Sequence, residues 1–383
     1  MKDRFYSFLI PWFTDAAFAL AGTAAPLLAL RFGANAIMLG AIGFAAQLVR
    51  IPVCFASGRA SERLGRKQIA IPAICVTAAG AIGLASSWSI ASVAAFFSLI
   101  ATSAGMFFPP FQAHIGDVSK PGHLRKNLGA YNLGWCSGGA IAALGAGWLV
   151  TIGLPVLPYV AAGASLTAGA LLLAWRARPV RHSEDPARPL PVYPNSLLIV
   201  SRLGHFTAFF AISIIRVIFP KLGCDLGWSD ATIAKVVAMS LVGQATGMMV
   251  AGASSWWRGK LWPQLTAQAL MVASGLGTAA VFPPAMFGAC FFVVGFALSI
   301  AYSGALYYGL SSRAARGRNT GIHESLVAIA STLGSLLGGV ASQFISPRAP
   351  YVLLAVMAAS CLVLSGTVFR RTSRGTPDAQ PSG

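Results

Sequence analysis

Apolar residues fill this chain in blocks of about twenty, separated by short polar or glycine- and proline-rich breaks. A helix needs roughly 20 consecutive apolar residues to cross a hydrocarbon core. A transmembrane β-barrel would show short alternating segments instead, and these runs are continuously apolar. The pattern predicts twelve spans, at 6–28, 35–57, 68–86, 89–113, 127–151, 155–175, 196–219, 231–254, 262–282, 285–310, 320–343 and 350–369. Connections as short as Ser86-Ser87-Trp88-Ser89 and Phe282-Pro283-Pro284 make neighbouring spans antiparallel hairpins. The longest internal break, 176–195, is rich in Pro and Arg and reads as an extended cytoplasmic loop between two halves. The organisation expected is a six-helix bundle over 1–175, the central loop, a second bundle over 196–369 and a disordered tail over 370–383.

Composition agrees with a membrane chain. Of the 383 residues 56% are hydrophobic and 10% charged, where a soluble domain is nearer a quarter charged. The net charge of +18 does not point to nucleic acid, because its basic residues are parcelled into short clusters between apolar runs. Such clusters orient a membrane protein. With the N-terminus inside, the inner segments carry 21 Lys and Arg, the outer side four (Arg31, Lys221, Lys235 and Arg348), and three lie within spans. That bias predicts both termini in the cytoplasm, and the membrane expected is a bacterial inner membrane. The basic N-terminus leads into a run too long for a signal-peptide core and is expected to be a retained helix. Six scattered cysteines without a CxxC suggest neither a disulfide framework nor a metal site. No cofactor is expected.

One polar break stands out. Residues 58–67 read Gly-Arg-Ala-Ser-Glu-Arg-Leu-Gly-Arg-Lys, between spans two and three. Gly252, Gly259 and Lys260 echo it after span eight at an offset of 194, and Asn127-Leu128-Gly129 and Asn319-Thr320-Gly321 open spans five and eleven at an offset of 192. These matches support a six-plus-six duplication, an arrangement frequent in transporters. The decapeptide resembles the loop signature of the major facilitator superfamily, with Gly58, Arg63, Gly65, Arg66 and Lys67 matching, Ala60 where Leu is usual and Glu62 where Asp is usual. The resemblance implies an all-α integral membrane fold of two pseudo-symmetric six-helix bundles. It further implies a gating role for the motif, in which Glu62 would reach the cytoplasmic end of span eleven at Arg318–Gly321. It also implies that spans five and eight, and two and eleven, meet across the halves. The glycine stretches of spans five, eight and eleven (Gly134, Gly138 and Gly139; Gly243 and Gly247; Gly334, Gly338 and Gly339) would let helices approach closely.

Five charged residues fall inside spans: Asp15, Arg50, Arg202, Arg216 and Glu324. Each unpaired charge costs roughly 2.5–3.5 kcal/mol at helix centre on insertion scales, so each is a functional candidate. Asp15 and Arg50 lie at comparable depth, as do Arg202 and Glu324, so both pairs are geometrically open. Arg216 is expected to snorkel from the outer end of its span. Asp15 is read either as a proton-coupling carboxylate or as the structural partner of Arg50. His205 and His323 can titrate in the physiological range. The resemblance places spans one, four, seven and ten around a cavity, which makes Phe108, Gln112, Tyr302 and Tyr307 candidate lining residues. The Pro109-Pro110 pair would kink or unwind span four.

These readings converge on a monomeric secondary active transporter, not an enzyme, moving a small organic solute by alternating access with proton coupling. The partners expected are that solute, protons and the lipid bilayer, with no nucleic acid. Three arginines against two acids lean toward an anionic solute. Proton-antiport efflux of amphipathic compounds, or a non-transporting receptor or scaffold on the same fold, are the alternatives.

Overall fold

A computed structural model describes residues 2–119, 124–176, 193–280, 283–311 and 316–374. It consists of long helices: α1 (Lys2–Arg31), α2 (Ala36–Leu64), α3 (Arg66–Ala85), α4 (Ile90–Val118), α5 (Leu124–Ile152), α6 (Val156–Ala174), α7 (Asn195–Asp225), α8 (Asp230–Ala253), α9 (Trp262–Ala280), α10 (Pro284–Ser311), α11 (Arg316–Phe344) and α12 (Ala349–Arg374). Eleven of them are long and apolar enough to cross a membrane. The exception, α9, carries Gln264, Thr266 and Gln268 in its first half. Gln264 and Gln268 are buried against the bundle, where their amides donate to the Ile300 carbonyl and to the Val200 carbonyl and Ser365. Most of the central loop lies outside the described residues, as does the tail beyond Arg374.

Helices α1–α6 pack as one bundle and α7–α12 as another. The two meet along α2 against α11 and α5 against α8, the seams implied by the resemblance. At the end of the bundle opposite the termini, Gly40 lies against the Ser335 carbonyl and Gly339, and Arg31 forms an ion pair with Asp230 at 2.9 Å. Both contacts join one half to the other.

The glycine stretches mostly serve packing inside each half. Gly134 and Gly138 of α5 sit on the Phe8 and Trp12 carbonyls of α1, while Gly334 and Gly338 of α11 sit on Phe210 and Ile214 of α7. These are equivalent helix pairs of the two bundles. Gly243 and Gly247 of α8 sit on Phe292 and Phe296 of α10. The duplication also shows in the loops. Gly65 has φ +101° and Gly259 has φ +68°, conformations that L side chains rarely adopt.

Helix α4 runs unbroken through Pro109 and Pro110, so the expected unwinding does not occur. Pro109 has no N–H to offer the Gly105 carbonyl one turn back. The Ser57 hydroxyl donates to that carbonyl instead, at 2.7 Å. A neighbouring helix thereby satisfies the freed backbone group, as membrane helices require.

Adding a methyl group tests this packing. Gly138→Ala places Cβ against the Trp12 backbone, whereas Gly145→Ala meets nothing within 4 Å. Overpacking typically costs about 1–3 kcal/mol, and Ala otherwise favours a helix over Gly by up to about 1 kcal/mol. Thermal unfolding in detergent should show a lower Tm for Gly138→Ala and an unchanged or higher one for Gly145→Ala; equal Tm values would refute the contact.

Candidate functional site

The signature loop is tied down within its own half. Arg66 Nε meets Asp117 Oδ2 at 3.1 Å at the end of α4, and its Nη1 donates to Ser61 Oγ at 2.8 Å. Lys67 Nζ donates to the Leu172 carbonyl at 2.8 Å and to the Trp175 carbonyl, capping the exposed carbonyls that end α6. Glu62 and Arg63 are exposed, and Gly58 faces Pro109. Among the described residues Glu62 makes no ion pair. The side chains of Arg318, Asn319 and Thr320, its expected partners, lie outside the described residues. The sequence alone did not single out Asp117, whose signal there is a lone acid just before Lys120, Arg125 and Lys126.

Between the two bundles lies a cavity of about 200 Å³. Its polar wall includes Asp15 of α1, Arg50 of α2, Arg216 of α7 and Glu324 of α11. Both pairings open at the sequence level prove different. Arg50 Nη2 meets Glu324 Oε2 at 3.1 Å, across the two halves, with side-chain exposures of 12% and 6%. Glu324 therefore takes Arg50 rather than Arg202, and Arg50 takes Glu324 rather than Asp15. Helix rotation, which hydropathy does not encode, decides this. Gln112 Nε2 reaches Glu324 Oε1 at 3.0 Å and the Tyr131 hydroxyl at 3.0 Å, so the second carboxylate oxygen is also partnered. The Arg50 guanidinium lies 6.0 Å from the Phe108 ring centre, within cation–π range.

Arg216 does not snorkel away. It occupies a π-helical turn, Ile214–Ile218, within α7, and it lines the cavity. Such wider turns recur at functional sites. Nothing in the sequence marks this one, since Ile-Ile-Arg-Val-Ile reads as ordinary helix. Asp15 also lines the cavity, and Arg216 and Arg50 act on its carboxylate electrostatically. Asp15 Oδ2 and Arg216 Nε are buried without a hydrogen-bond partner among the described residues.

The two histidines are brought together. His205 and His323 stack at 4.1 Å with 20° between rings, and Tyr302 meets His323 edge-on at 4.8 Å. Tyr302 also faces Trp135 of the other half at 5.5 Å and lines the cavity, as Phe108 does. Gln112, also expected there, stands behind the lining with its amide on Glu324 and Tyr131, and Tyr307 does not line the cavity. That ring packs with Tyr193 and Trp257 near the 252–260 loop, with the Arg258 guanidinium 5.0 Å from its centre. One further turn along α10 carries it past the cavity. An aromatic wall of Phe18, Phe97, Trp135 and Phe209, which the sequence alone did not single out, completes the lining.

The arrangement is a two-walled central chamber, with one inter-half ion pair closed and one acid and one base left open to the interior. Its likeness to known proteins is of the same kind. The structure resembles crystal structures of a bacterial homolog to the human lysosomal transporter Spinster. For the inward-facing, occupied conformation the TM-score is 0.68 at 16% identity, covering 97% of this chain and 96% of that one. For the inward-facing, unoccupied conformation it is 0.67 at 16% identity, covering 98% and 99%. Among proteins with curated descriptions, none matches the chain. The family model described as Major Facilitator Superfamily matches residues 7–203 and again 202–383. The chain belongs to the major facilitator superfamily, and it is a multi-pass membrane transporter of solutes rather than an enzyme.

Proposed function

We propose that this protein is a secondary active transporter that moves a small organic solute by alternating access, with Asp15 as the proton-coupling group. One observation carries the reading: among the described residues Asp15 makes no ion pair, and it stands on the wall of a chamber formed between two separately packed halves. A carboxylate in such a chamber can carry a proton. Alternating exposure to the two sides would let it load a proton at one face and release it at the other. The charge bias supports cytoplasmic termini. Three of the four basic residues on the outer side fit it, since Arg31 and Lys221 are ion-paired and Arg348 Nη1 donates to the Ala279 carbonyl at the end of α9.

The Arg50–Glu324 pair is a cross-link between halves, and movement of one half against the other must break or reshape it. Removing one partner of a buried pair leaves an uncompensated charge at a cost of about 3–5 kcal/mol. The aromatic wall favours a second reading, efflux of amphipathic compounds.

Two measurements test the reading. In proteoliposomes, a solute accelerated by an imposed pH gradient should lose that acceleration in Asp15→Asn, with the ratio of rates with and without the gradient falling to about one. An unchanged ratio would eliminate Asp15 as the coupling group. In thermal unfolding, Glu324→Gln should lower Tm, and adding Arg50→Gln should recover much of the loss. Additive losses in the double variant would show that the pair is not a unit.

A further inference from the structure

The four charges around the chamber are not equivalent. Arg50 and Glu324 close on each other at 3.1 Å, and Gln112 occupies the remaining Glu324 oxygen. Asp15 and Arg216 act on each other electrostatically, yet among the described residues neither is in an ion pair. Asp15 Oδ2 and Arg216 Nε are both buried and unmatched. Gln47 Oε1, Gln244 Oε1 and Ser335 Oγ, on the same chamber wall, are unmatched as well. Buried polar atoms without partners are costly. Such atoms occur elsewhere in the interior too, but here they belong to residues that line a cavity, where a bound group can supply partners.

The balance of charge narrows what that is. Counting intramembrane residues, three arginines against two acids favour an anion. Counting the chamber wall gives a different answer, because Arg202 is not on it: Asp15 and Glu324 stand against Arg50 and Arg216. Arg50 and Glu324 are ion-paired with each other, although Arg50 Nε is itself buried and unmatched, so one carboxylate and one guanidinium remain without an ion pair among the described residues. A solute with a single charge would answer one of them and leave the other unmatched. A solute with both charges answers both.

We infer that the chamber takes a small zwitterion, with its cationic group against Asp15 and its anionic group against Arg216. The inference rests on the transport reading above and names its solute class. Phe18 and Phe108, with ring centres 5.7 Å apart on the same wall, supply apolar contact for the part of the solute between its charges. The chamber, at about 200 Å³, has room for a small organic ion and not only for a single water. Asp15 then holds a proton or the solute's cationic group, but not both, so solute binding displaces a proton.

The test uses a matched set of probes with the full-length protein: 4-(aminomethyl)benzoate as zwitterion, 4-methylbenzoate as anion and benzylamine as cation. Phenylalanine and 6-aminohexanoate supply two other charge spacings. Binding is read as a rise in Tm in detergent, and transport as flux in liposomes. At least one zwitterion should bind and be transported in preference to both singly charged probes. Asp15→Asn should weaken that zwitterion about tenfold or more, the scale of one lost charged contact, while 4-methylbenzoate binding persists. Arg216→Gln should give the mirror result with benzylamine. The wild-type ranking stands by itself if either variant fails to fold. Transport of a singly charged probe with no zwitterion bound overturns the inference and leaves the transport reading intact. Folded variants that keep the wild-type zwitterion selectivity also overturn it, as does the absence of any zwitterion binding.

Discussion

The structure depends on how charge is accommodated at a depth where water is scarce. Arg50 and Glu324 cannot be left alone there, and each finds its partner on the opposite bundle. That places the most strongly interacting groups of the interior at the seam between halves rather than within either one. The glycine contact of Gly40 with Gly339 and the Arg31–Asp230 pair seal the end opposite the termini, so the halves meet above the chamber and again beside it. Within each half the opposite strategy holds. Glycines bring α5 onto α1 and α11 onto α7 backbone to backbone, giving rigid units held by dispersion and close approach. Rigid halves joined by few polar contacts are what a rocking motion needs.

The chamber itself is shaped by departures from regular helix. The π turn at Ile214–Ile218 carries Arg216, and α4 keeps its course past two prolines because Ser57 satisfies the carbonyl that Pro109 cannot. One departure aims a charge into the chamber; the other keeps the wall that carries Phe108 continuous.

Much of the architecture was legible in the sequence, because a run of eighteen or more apolar residues states its own crossing of the bilayer. The six-plus-six division was legible too. The echo of 58–67 at 252–260 corresponds to real equivalence, down to the left-handed glycines Gly65 and Gly259. The partners of charged residues were not legible. Arg50 and Glu324 lie 274 positions apart, and which face each helix turns inward is set by packing that hydropathy does not record. The same limit put Tyr307 in the chamber and Arg216 outside it. Depth along a helix can be counted from its ends, but rotation about its axis cannot, and a π turn changes that rotation without any sequence signal.

The central claim is that two rigid halves exchange closure between the two ends of the molecule about the Arg50–Glu324 contact. Inter-half distances measured by pulsed dipolar spectroscopy in lipid test it most directly. Labels at Ser86 and Ile345 report on one end and labels at Arg59 and Ser255 on the other, in a background without the exposed Cys75 and Cys224. The account predicts that lowering pH shifts the two distance distributions in opposite directions, one end opening as the other closes. Distributions that stay fixed, or that widen together, would contradict it.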